Sequence, residues 1–308
     1  MRLAVSLAVV AGLVIKLSPG EIARTVRDAD PWLLLAALLL MLVAQVLVLL
    51  KWSMLLRARG VRPSAGLVVR SYAIGNLLSN VLPTAVGGDV YRVYRVQREA
   101  NARAADVTMT VLFERATGYG AMTCFGALGA AFYYGEAWIG IVALAGGAVV
   151  AALLALALTR MPFPAIPQDH VLRNLLAHRR ELIAVYQMAV CSLAIQAIYI
   201  TTIALAGRAF GLHVSWWYWC FSTWVIAVAL LLPVTLGGLG LRESSYSAFV
   251  KHAGGTAAQG ASVGFALGAL LVCANLLLLA VSELAMRLGY VRYAPPDEAL
   301  PAAARART

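Results

Sequence analysis

Long uncharged stretches dominate the pattern of hydrophobic and polar positions along this chain. Crossing the hydrocarbon core of a bilayer takes about 20 residues of helix, and most of these stretches approach or exceed that length. The pattern predicts an all-α integral membrane protein with about six transmembrane helices. The stretches are residues 3–15, 31–50, 116–134, 137–159, 182–207, 215–239 and 256–282.

One motif occurs twice within this pattern. LPTAVGGDVYR occupies residues 82–92 and LPVTLGGLGLR occupies residues 232–242, so Leu, Pro, two Gly and Arg recur at an offset of 150 residues. A proline, a glycine pair and an arginine kept in one register indicate an internal duplication. Proline removes a backbone donor and glycine tolerates unusual dihedral angles, so each copy predicts a helix break. The helix-break positions are Pro83, Gly87, Gly88, Pro233, Gly237, Gly238 and Gly240.

Basic residues on both sides of the first copy orient it in the membrane. Lys and Arg mark cytoplasmic loops, so the two ends of segment 66–90 face the same side and the segment does not cross. We predict a re-entrant hairpin, with a half-helix from Gly66 to Leu82, a break at 83–88 and a polar return helix through Arg98. The flanking basic residues are Lys51, Arg57, Arg59, Arg62, Arg70, Arg92, Arg95, Arg98 and Arg103.

A second hairpin is expected at residues 215–252. Three predicted crossings separate it from the first, and an odd number turns the second copy over, so residues 31–159 and 181–286 are predicted to form an inverted repeat. If either hairpin were a full span, the repeats would be parallel instead. Inverted repeats with broken helices that meet near the midplane are a recurrent transporter architecture.

The pattern assigns residues 1–290 to one polytopic membrane domain and residues 291–308, rich in Pro, Ala and Arg, to a disordered cytoplasmic tail. The apolar run at 3–15 is followed by Lys16 without a clear cleavage site, which favours a short first span or signal anchor over a signal peptide. This topology predicts a multi-pass protein of the cell inner membrane with both termini in the cytoplasm.

Composition agrees with a membrane class, since 62% of the residues are apolar and the mean hydropathy is +0.81. The net charge of +11 does not indicate nucleic-acid binding, because the arginines punctuate the apolar runs and form no basic domain. The cysteines lack CxxC spacing, the histidines form no HExxH array, and no nucleotide-binding loop is present. We therefore expect no metal, no cofactor and no enzyme activity.

Charges inside membrane segments cost roughly 3 kcal/mol or more each at the bilayer centre, so they usually face a cavity or a partner. One hypothesis is that Arg92, Arg115 and Arg242 converge on a phosphate or similar anion, which the planar guanidinium fork suits. The alternative is that ion pairs hold the hairpins to the bundle. Those pairs would be Asp89 with Arg92, Glu114 with Arg115, and Arg242 with Glu243.

Asn76 and Asn80 stand four residues apart on the first half-helix and so share one face. They are expected either to line the same substrate-binding cavity as the charged residues or to make polar packing contacts with a neighbouring helix.

Three separated motifs, together with KW at 51–52, carry a family resemblance. They are LPTAVGGDVYR, FERATGYG at 113–120 and LPVTLGGLGLRES at 232–244. Over roughly residues 1–290 and in this order, the chain resembles the lysylphosphatidylglycerol synthase transmembrane-domain family, the flippase-like family. Lys51 replaces an expected arginine and keeps its charge. By motif match, the charged family positions present are Asp89, Arg92, Glu114, Arg115, Arg242 and Glu243.

In that family's bifunctional members, a membrane domain of this kind moves an aminoacylated phospholipid between leaflets and a soluble domain makes the lipid from aminoacyl-tRNA. These 308 residues leave no room for the soluble domain, so the resemblance implies translocation without synthesis. Other members stand alone and are linked to hopanoid, isoprenoid or glycolipid pathways, so the substrate cannot be carried over.

The leading hypothesis is a lipid flippase or scramblase in which a polar headgroup crosses between the hairpins while the acyl chains stay in lipid. A polar cavity would spare the headgroup its desolvation in hydrocarbon. The expected partner is a membrane lipid, namely a phospholipid, hopanoid or isoprenoid/glycolipid, and no nucleic acid. The alternatives are a membrane enzyme with Glu114 or Glu243 as general base, and a scaffold that recruits a lipid-pathway enzyme. Formation of a homo-oligomer stays open.

Overall fold

The computed structural model describes residues 19–81, 87–135, 138, 140–142, 145, 179–230 and 238–288. Every regular element in these ranges is an α-helix, which confirms the predicted all-α membrane class. Several predictions lie outside the described residues: the first span at 3–15, most of the stretch at 137–159, the tail at 291–308, and the helix breaks Pro83, Pro233 and Gly237.

Except for a short helix at Pro19–Arg27 that the pattern did not predict, the described helices follow the predicted order. They are α1 (Pro19–Arg27), α2 (Pro31–Ala58), α3 (Ala65–Val81), α4 (Gly87–Glu99), α5 (Ala104–Tyr134), α6 (Arg179–Ala209), α7 (Trp216–Leu230), α8 (Leu241–His252) and α9 (Ala257–Arg287).

Three segments of the described chain are long and apolar enough to cross a membrane: Pro31–Ala58, Gln187–Ala209 and Ala257–Arg287. Local sequence fixes where two of these helices begin. Asp30 accepts from the backbone amide of Trp32 at 2.8 Å, with proline in the first turn of α2. Thr256 and Gln259 form a reciprocal capping box at the start of α9. The predicted count of six spans stays a prediction.

The helices α3 and α4 form an antiparallel pair, which we call hairpin 1. A β-carbon added at Gly88 would overlap the carbonyl oxygen of Gly75 and the hydroxyl of Ser79, so the two backbones touch. The helices have 17 and 13 residues, which corresponds to about 26 and 20 Å. Each is shorter than the roughly 30 Å hydrocarbon core. The predicted break at Gly87 and Gly88 is wrong, because both residues lie in the first turn of α4 and Gly88 is needed there for close packing against α3.

The helices α7 and α8 form the corresponding hairpin 2. The hydroxyl of Tyr218 donates to the carbonyl of Phe249 at 2.8 Å near its open end, and a β-carbon at Gly238 would lie 3.0 Å from Leu230 near its tip. Gly238 and Gly240 have φ values of 77° and 84°. This left-handed region favours glycine, so these two glycines fit the predicted break.

The two hairpins open at opposite ends of the bundle. The helices α2 and α6 run antiparallel, since the amide of Asp30 donates to the carbonyl of Ala209 at 2.9 Å and Lys51 reaches Ser192. Hairpin 1 opens where α2 finishes, which we call the Ala58 end. Hairpin 2 opens at the Pro31 end, where Ser247 donates to the carbonyl of Ala257. This arrangement is the one an inverted repeat requires, although the repeat itself stays a prediction.

The first helix of each hairpin packs on a long helix of the other half. In hairpin 1, α3 lies against α9, where the side-chain amide of Asn76 donates to Asn275 at 3.4 Å. In hairpin 2, α7 lies against α5, where a β-carbon added at Gly126 would lie 2.5 Å from the Trp224 side chain. The halves are therefore interlocked, and neither hairpin depends on its own half alone.

We predict that Gly88→Ala destabilises the protein by about 1–3 kcal/mol, because overpacking forces the backbones of hairpin 1 apart. The matched control is Gly120→Ala, since nothing lies within 4 Å of a β-carbon there. The measurement is the thermal unfolding midpoint in detergent. Equal midpoints for the two variants would contradict the close contact of α3 and α4.

Candidate functional site

A fully enclosed arginine lies at the centre of the first charged cluster. The side chain of Arg92 on α4 is 1% exposed. Its Nη2 donates to Oε2 of Glu114 on α5 at 2.5 Å, and its Nη1 donates to Oδ1 of Asp89 at 3.3 Å. One guanidinium thus joins hairpin 1 to α5 through charge-assisted bonds, which are stronger than neutral ones.

Two aromatic rings enclose the same guanidinium. Its central carbon lies 4.1 Å from the ring centroid of Trp52 and 4.7 Å from that of Tyr72. Each ring is held by its own hydrogen bond, from the Trp52 indole to Thr110 at 3.1 Å and from the Tyr72 hydroxyl to Gln45 at 3.0 Å. Desolvated cation–π contacts of this kind are worth up to about 2 kcal/mol. The surroundings hold Arg92 in one place.

Arg115 extends the cluster toward its open side. Its Nε donates to Oδ2 of Asp89 at 3.1 Å and its Nη2 lies 3.0 Å from the same oxygen, while its Nη1 has no partner among the described residues. The side chain is 42% exposed. It stands eleven residues into α5, about 17 Å from the start of this helix. A spanning helix this long would hold Arg115 within the hydrocarbon, where an exposed cation must face water or an anion.

A third cation, Lys51, lies beneath the cluster. It is 3% exposed and donates to the backbone carbonyl of Glu114 at 3.2 Å and to the hydroxyl of Ser192 at 2.6 Å. Its bonds connect α2, α5 and α6 at the turn that carries Glu114. Lys51 therefore helps to fix where that carboxylate stands.

The expected pairing of Glu114 with Arg115 is wrong. These neighbours on α5 point to different partners, because Glu114 binds Arg92 and Arg115 binds Asp89. Adjacent residues on a helix do not face each other, so each reaches separately across to α4. The expected pair of Asp89 with Arg92 is present. The result is one connected network in place of two separate pairs.

The second cluster, at the tip of hairpin 2, is nearly self-contained. Arg242 donates through Nε and Nη2 to Oε1 of Glu243 at 3.0 and 2.7 Å, which confirms this expected pair. Oε2 of Glu243 accepts from the backbone amide of Gly240 at 2.6 Å. Glu243 is completely buried, and the Arg242 side chain is 16% exposed. Both charges are satisfied within the first turn of α8.

The long helix that packs against each hairpin presents different residues to the arginine of that hairpin. Where α5 presents Glu114 to hairpin 1, α9 presents glycines to hairpin 2. A β-carbon at Gly264 would lie 2.9 Å from the Cα of Glu243, and one at Gly268 would lie 3.0 Å from the guanidinium carbon of Arg242. The missing side chains on α9 leave the space that this ion pair occupies.

The two hairpin tips approach the same stretch of α9. Arg242 lies over Gly268, and Asn76 binds Asn275 seven residues further on, which is about 10 Å along the helix. The structure thus brings Asp89, Arg92, Glu114 and Arg115 together and Arg242 with Glu243, and among the described residues no ion pair joins the two groups. Asn76 makes a polar packing contact with the neighbouring helix α9, which was one of the two expected roles. The side chain of Asn80 is not among those that the structure describes.

Arg115 and Arg242 have the same bonding pattern. Each holds one carboxylate oxygen through Nε and Nη2, is partly exposed, and has no Nη1 partner among the described residues. The sequence motif instead aligns Arg242 with Arg92. In chemical terms the counterpart of Arg242 is Arg115, because Arg92 is enclosed and cannot reach a ligand.

Sequence reasoning missed the residues that surround the cluster. In the sequence, Trp52 and Tyr72 look like ordinary apolar positions of a helix. Gly264 and Gly268 look like small residues within a transmembrane span. Only the KW pair at 51–52 was singled out, as part of a resemblance. In the part of the chain that the structure describes, no group of three His, Cys, Asp or Glu residues could hold a metal ion.

Comparison with known proteins gives a family match and a relative that aligns over part of the chain. The family model described as "Lysylphosphatidylglycerol synthase TM region" matches residues 1–278. A "UPF0104 membrane protein" from Methanothermobacter thermautotrophicus is 27% identical over 112 residues, which cover 36% of this chain and 33% of the relative. The match thus spans about a third of that relative's length. No solved structure gives a significant match.

We predict that Arg92→Met and Glu114→Gln each destabilise the protein by about 3 kcal/mol, because each leaves an uncompensated charge in the interior. The double variant should cost less than the sum of the two, since it removes both charges. Denaturant unfolding in mixed micelles measures all three. Arg287→Met is the control. The ion pair of Arg287 with Glu283 contributes little to stability, because the arginine side chain is 76% exposed. A strictly additive double variant would rule out direct coupling.

Proposed function

The chain belongs to the Lysylphosphatidylglycerol synthase TM region family, and on that premise we propose that it moves a lipid with a phosphate-containing headgroup between the leaflets of the cell inner membrane. The coarse class, a membrane protein of this family type, is established by the match over residues 1–278. The translocation activity and the membrane concerned are our proposal.

The observation that carries the proposal is the pair of partly exposed arginines, one in each half. Arg115 and Arg242 each keep a guanidinium edge without a described partner, although both stand among apolar helices. A planar fork of donors suits a phosphate oxygen. The residues of the first cluster comprise three cations, Lys51, Arg92 and Arg115, and two carboxylates, Asp89 and Glu114.

The placement of the hairpins supports a path across the membrane. Hairpin 1 is reached from the Ala58 end and hairpin 2 from the Pro31 end, and both tips approach the middle of α9. We propose that the headgroup passes from Arg115 to Arg242 along α9 while the acyl chains stay in lipid. Bonds to the two arginines would replace part of the headgroup's hydration and lower the cost of crossing. By the distribution of arginines, the Ala58 end faces the cytoplasm.

Within this path the charged residues have separate roles. Arg115 and Arg242 contact the headgroup, Asp89 and Glu243 hold these two arginines in position, and Arg92 and Glu114 fix hairpin 1 to the bundle. The proposal requires no covalent step and no cofactor. It accommodates phospholipids and polyprenyl phosphates equally, since both present a phosphate to the guanidinium groups.

We predict that Arg115→Gln and Arg242→Gln each lower the rate of lipid exchange between leaflets by about tenfold, the loss expected for one charge-assisted hydrogen bond to the moving headgroup. The measurement uses proteoliposomes with labelled anionic, zwitterionic and polyprenyl-phosphate lipids. The control is Arg208→Gln, an exposed arginine at the end of α6 outside both clusters. Unfolding midpoints are measured alongside, because Arg242→Gln leaves the buried Glu243 carboxylate without its cation, and exchange rates are compared per folded protein.

Other outcomes separate the alternatives. Exchange at the control rate in both variants would eliminate the two-arginine site. A product of altered mass, formed from lipid and a donor, would favour a membrane enzyme. Loss of cellular function on deleting residues 160–180 while exchange remains intact would favour a scaffold for a lipid-pathway enzyme.

A further inference from the structure

We propose that the exposed face of α4 and the arginines around the open end of hairpin 1 form a separate entry site that binds an anionic phospholipid. We call these arginines the arginine rim; they are Arg57, Arg59, Arg62, Arg98 and Arg103, and all five are exposed. The inference rests on the proposed function only for the step that follows, the passage of the headgroup to Arg115.

Packing of apolar residues brings the rim together from separate parts of the sequence. Leu56 at the end of α2, Leu67 near the start of α3, Val96 near the end of α4 and Val107 near the start of α5 share one buried cluster. Arg57 and Arg98 lie in the last turns of α2 and α4, and the other rim residues lie in the connections between these helices. Four helix ends therefore place their arginines at one end of the bundle, around the opening between α3 and α4.

The rim carries more positive charge than the nearby carboxylates offset, since Asp106 in the first turn of α5 stands against five arginines. Nearby Glu99 is held by Arg95 at 2.5 Å, and Glu283 is shared by Arg70 and Arg287. None of the rim arginines forms an ion pair with a described carboxylate. Arg59 lies over the ring of Phe113, and Arg98 donates to the hydroxyl of Tyr94 at 2.6 Å. These neutral contacts orient the guanidinium groups and leave their charge available.

The exposed face of α4 continues from the rim toward the site. Val90, Tyr94 and Arg98 are four residues apart, so they form one stripe of about 12 Å along the helix. Val90 is 61% exposed and Tyr94 is 51% exposed. The stripe begins with a cation, continues with an aromatic ring and ends with an apolar side chain beside Asp89.

This order of side chains fits a lipid better than an acidic protein. A phosphate would bind at Arg98 and the other rim arginines, and an acyl chain would lie along Tyr94 and Val90. Juxtamembrane arginines attract anionic headgroups because they stand at the membrane surface. Tyrosine suits the boundary between the two environments. An acidic protein segment would use the cations but gain nothing from the apolar part of the stripe.

Binding of fluorescent short-chain phosphatidylglycerol and phosphatidylcholine to the full chain in detergent micelles tests the charge of the ligand. We expect tenfold or greater preference for phosphatidylglycerol, and a loss of about tenfold in the triple variant R57Q/R62Q/R98Q. The matched control R24Q/R27Q/K251Q neutralises three exposed cations at the Pro31 end. Its affinity should stay within about twofold of the wild type.

Labelling with a phosphatidylglycerol that carries a photoreactive diazirine in one acyl chain tests the position of the chain. We expect adducts on the peptide that contains residues 90–98, and fewer of them in the rim variant. Equal binding of the two lipids, an unaffected rim variant, or adducts that avoid α4 would each overturn the proposal. Competition by polyglutamate without adducts on α4 would indicate an acidic protein partner and overturn it too.

The two proposals fail separately in these experiments. If the lipid binds and labels α4 but exchange between leaflets is absent, the entry site stands and the proposed function falls. If exchange is fast and depends on Arg115 while the rim variant binds and exchanges normally, the proposed function stands and the entry site falls.

Discussion

The structure depends on enclosing one full positive charge inside an apolar bundle. Arg92 is 1% exposed, and leaving such a charge unpaired in the interior would cost several kcal/mol. Its partners come from different helices: Trp52 from α2, Tyr72 from α3 and Glu114 from α5. Enclosing this guanidinium therefore sets the mutual positions of four helices, including both helices of hairpin 1, although its buried Nε has no hydrogen-bond partner among the described residues. Arg115 is positioned as a consequence, since Asp89 on the same hairpin binds it.

Much of the architecture could be read from the sequence because its signals are local and strong. The half-helix expected at 66–82 is Ala65–Val81, and the return helix begins at Gly87 and ends at Glu99, one residue beyond the prediction. Proline, paired glycines and flanking arginines act within a few residues of the break, and bilayer thickness fixes span length. The network of charges was harder to predict. Glu114 and Arg115 are neighbours in the sequence, but each forms an ion pair with a different residue of α4. The packing of α4 on α5 determines these partners, and the local sequence does not reveal it.

Different surroundings have given corresponding arginines different chemistry. The repeated motif puts Arg92 and Arg242 in register, and sequence alone treats them as equals. Arg92 is enclosed because its counter-charge, Glu114, reaches in from α5, whereas Arg242 keeps a partly open guanidinium because Glu243 on its own helix supplies the counter-charge. Register within a duplicated motif identifies corresponding backbone positions, but burial and the origin of the partner decide which side chain can meet a ligand.

The glycines of α9 make the two long helices non-interchangeable. Any side chain at Gly264 or Gly268 would intrude on Glu243 or Arg242, while α5 must keep the Glu114 carboxylate. A protein engineered to carry the α5 sequence in both places would push a side chain into an occupied volume beside Arg242. One engineered to carry the α9 sequence in both places would leave Arg92 without its counter-ion. Two similar hairpin motifs therefore require two dissimilar supports.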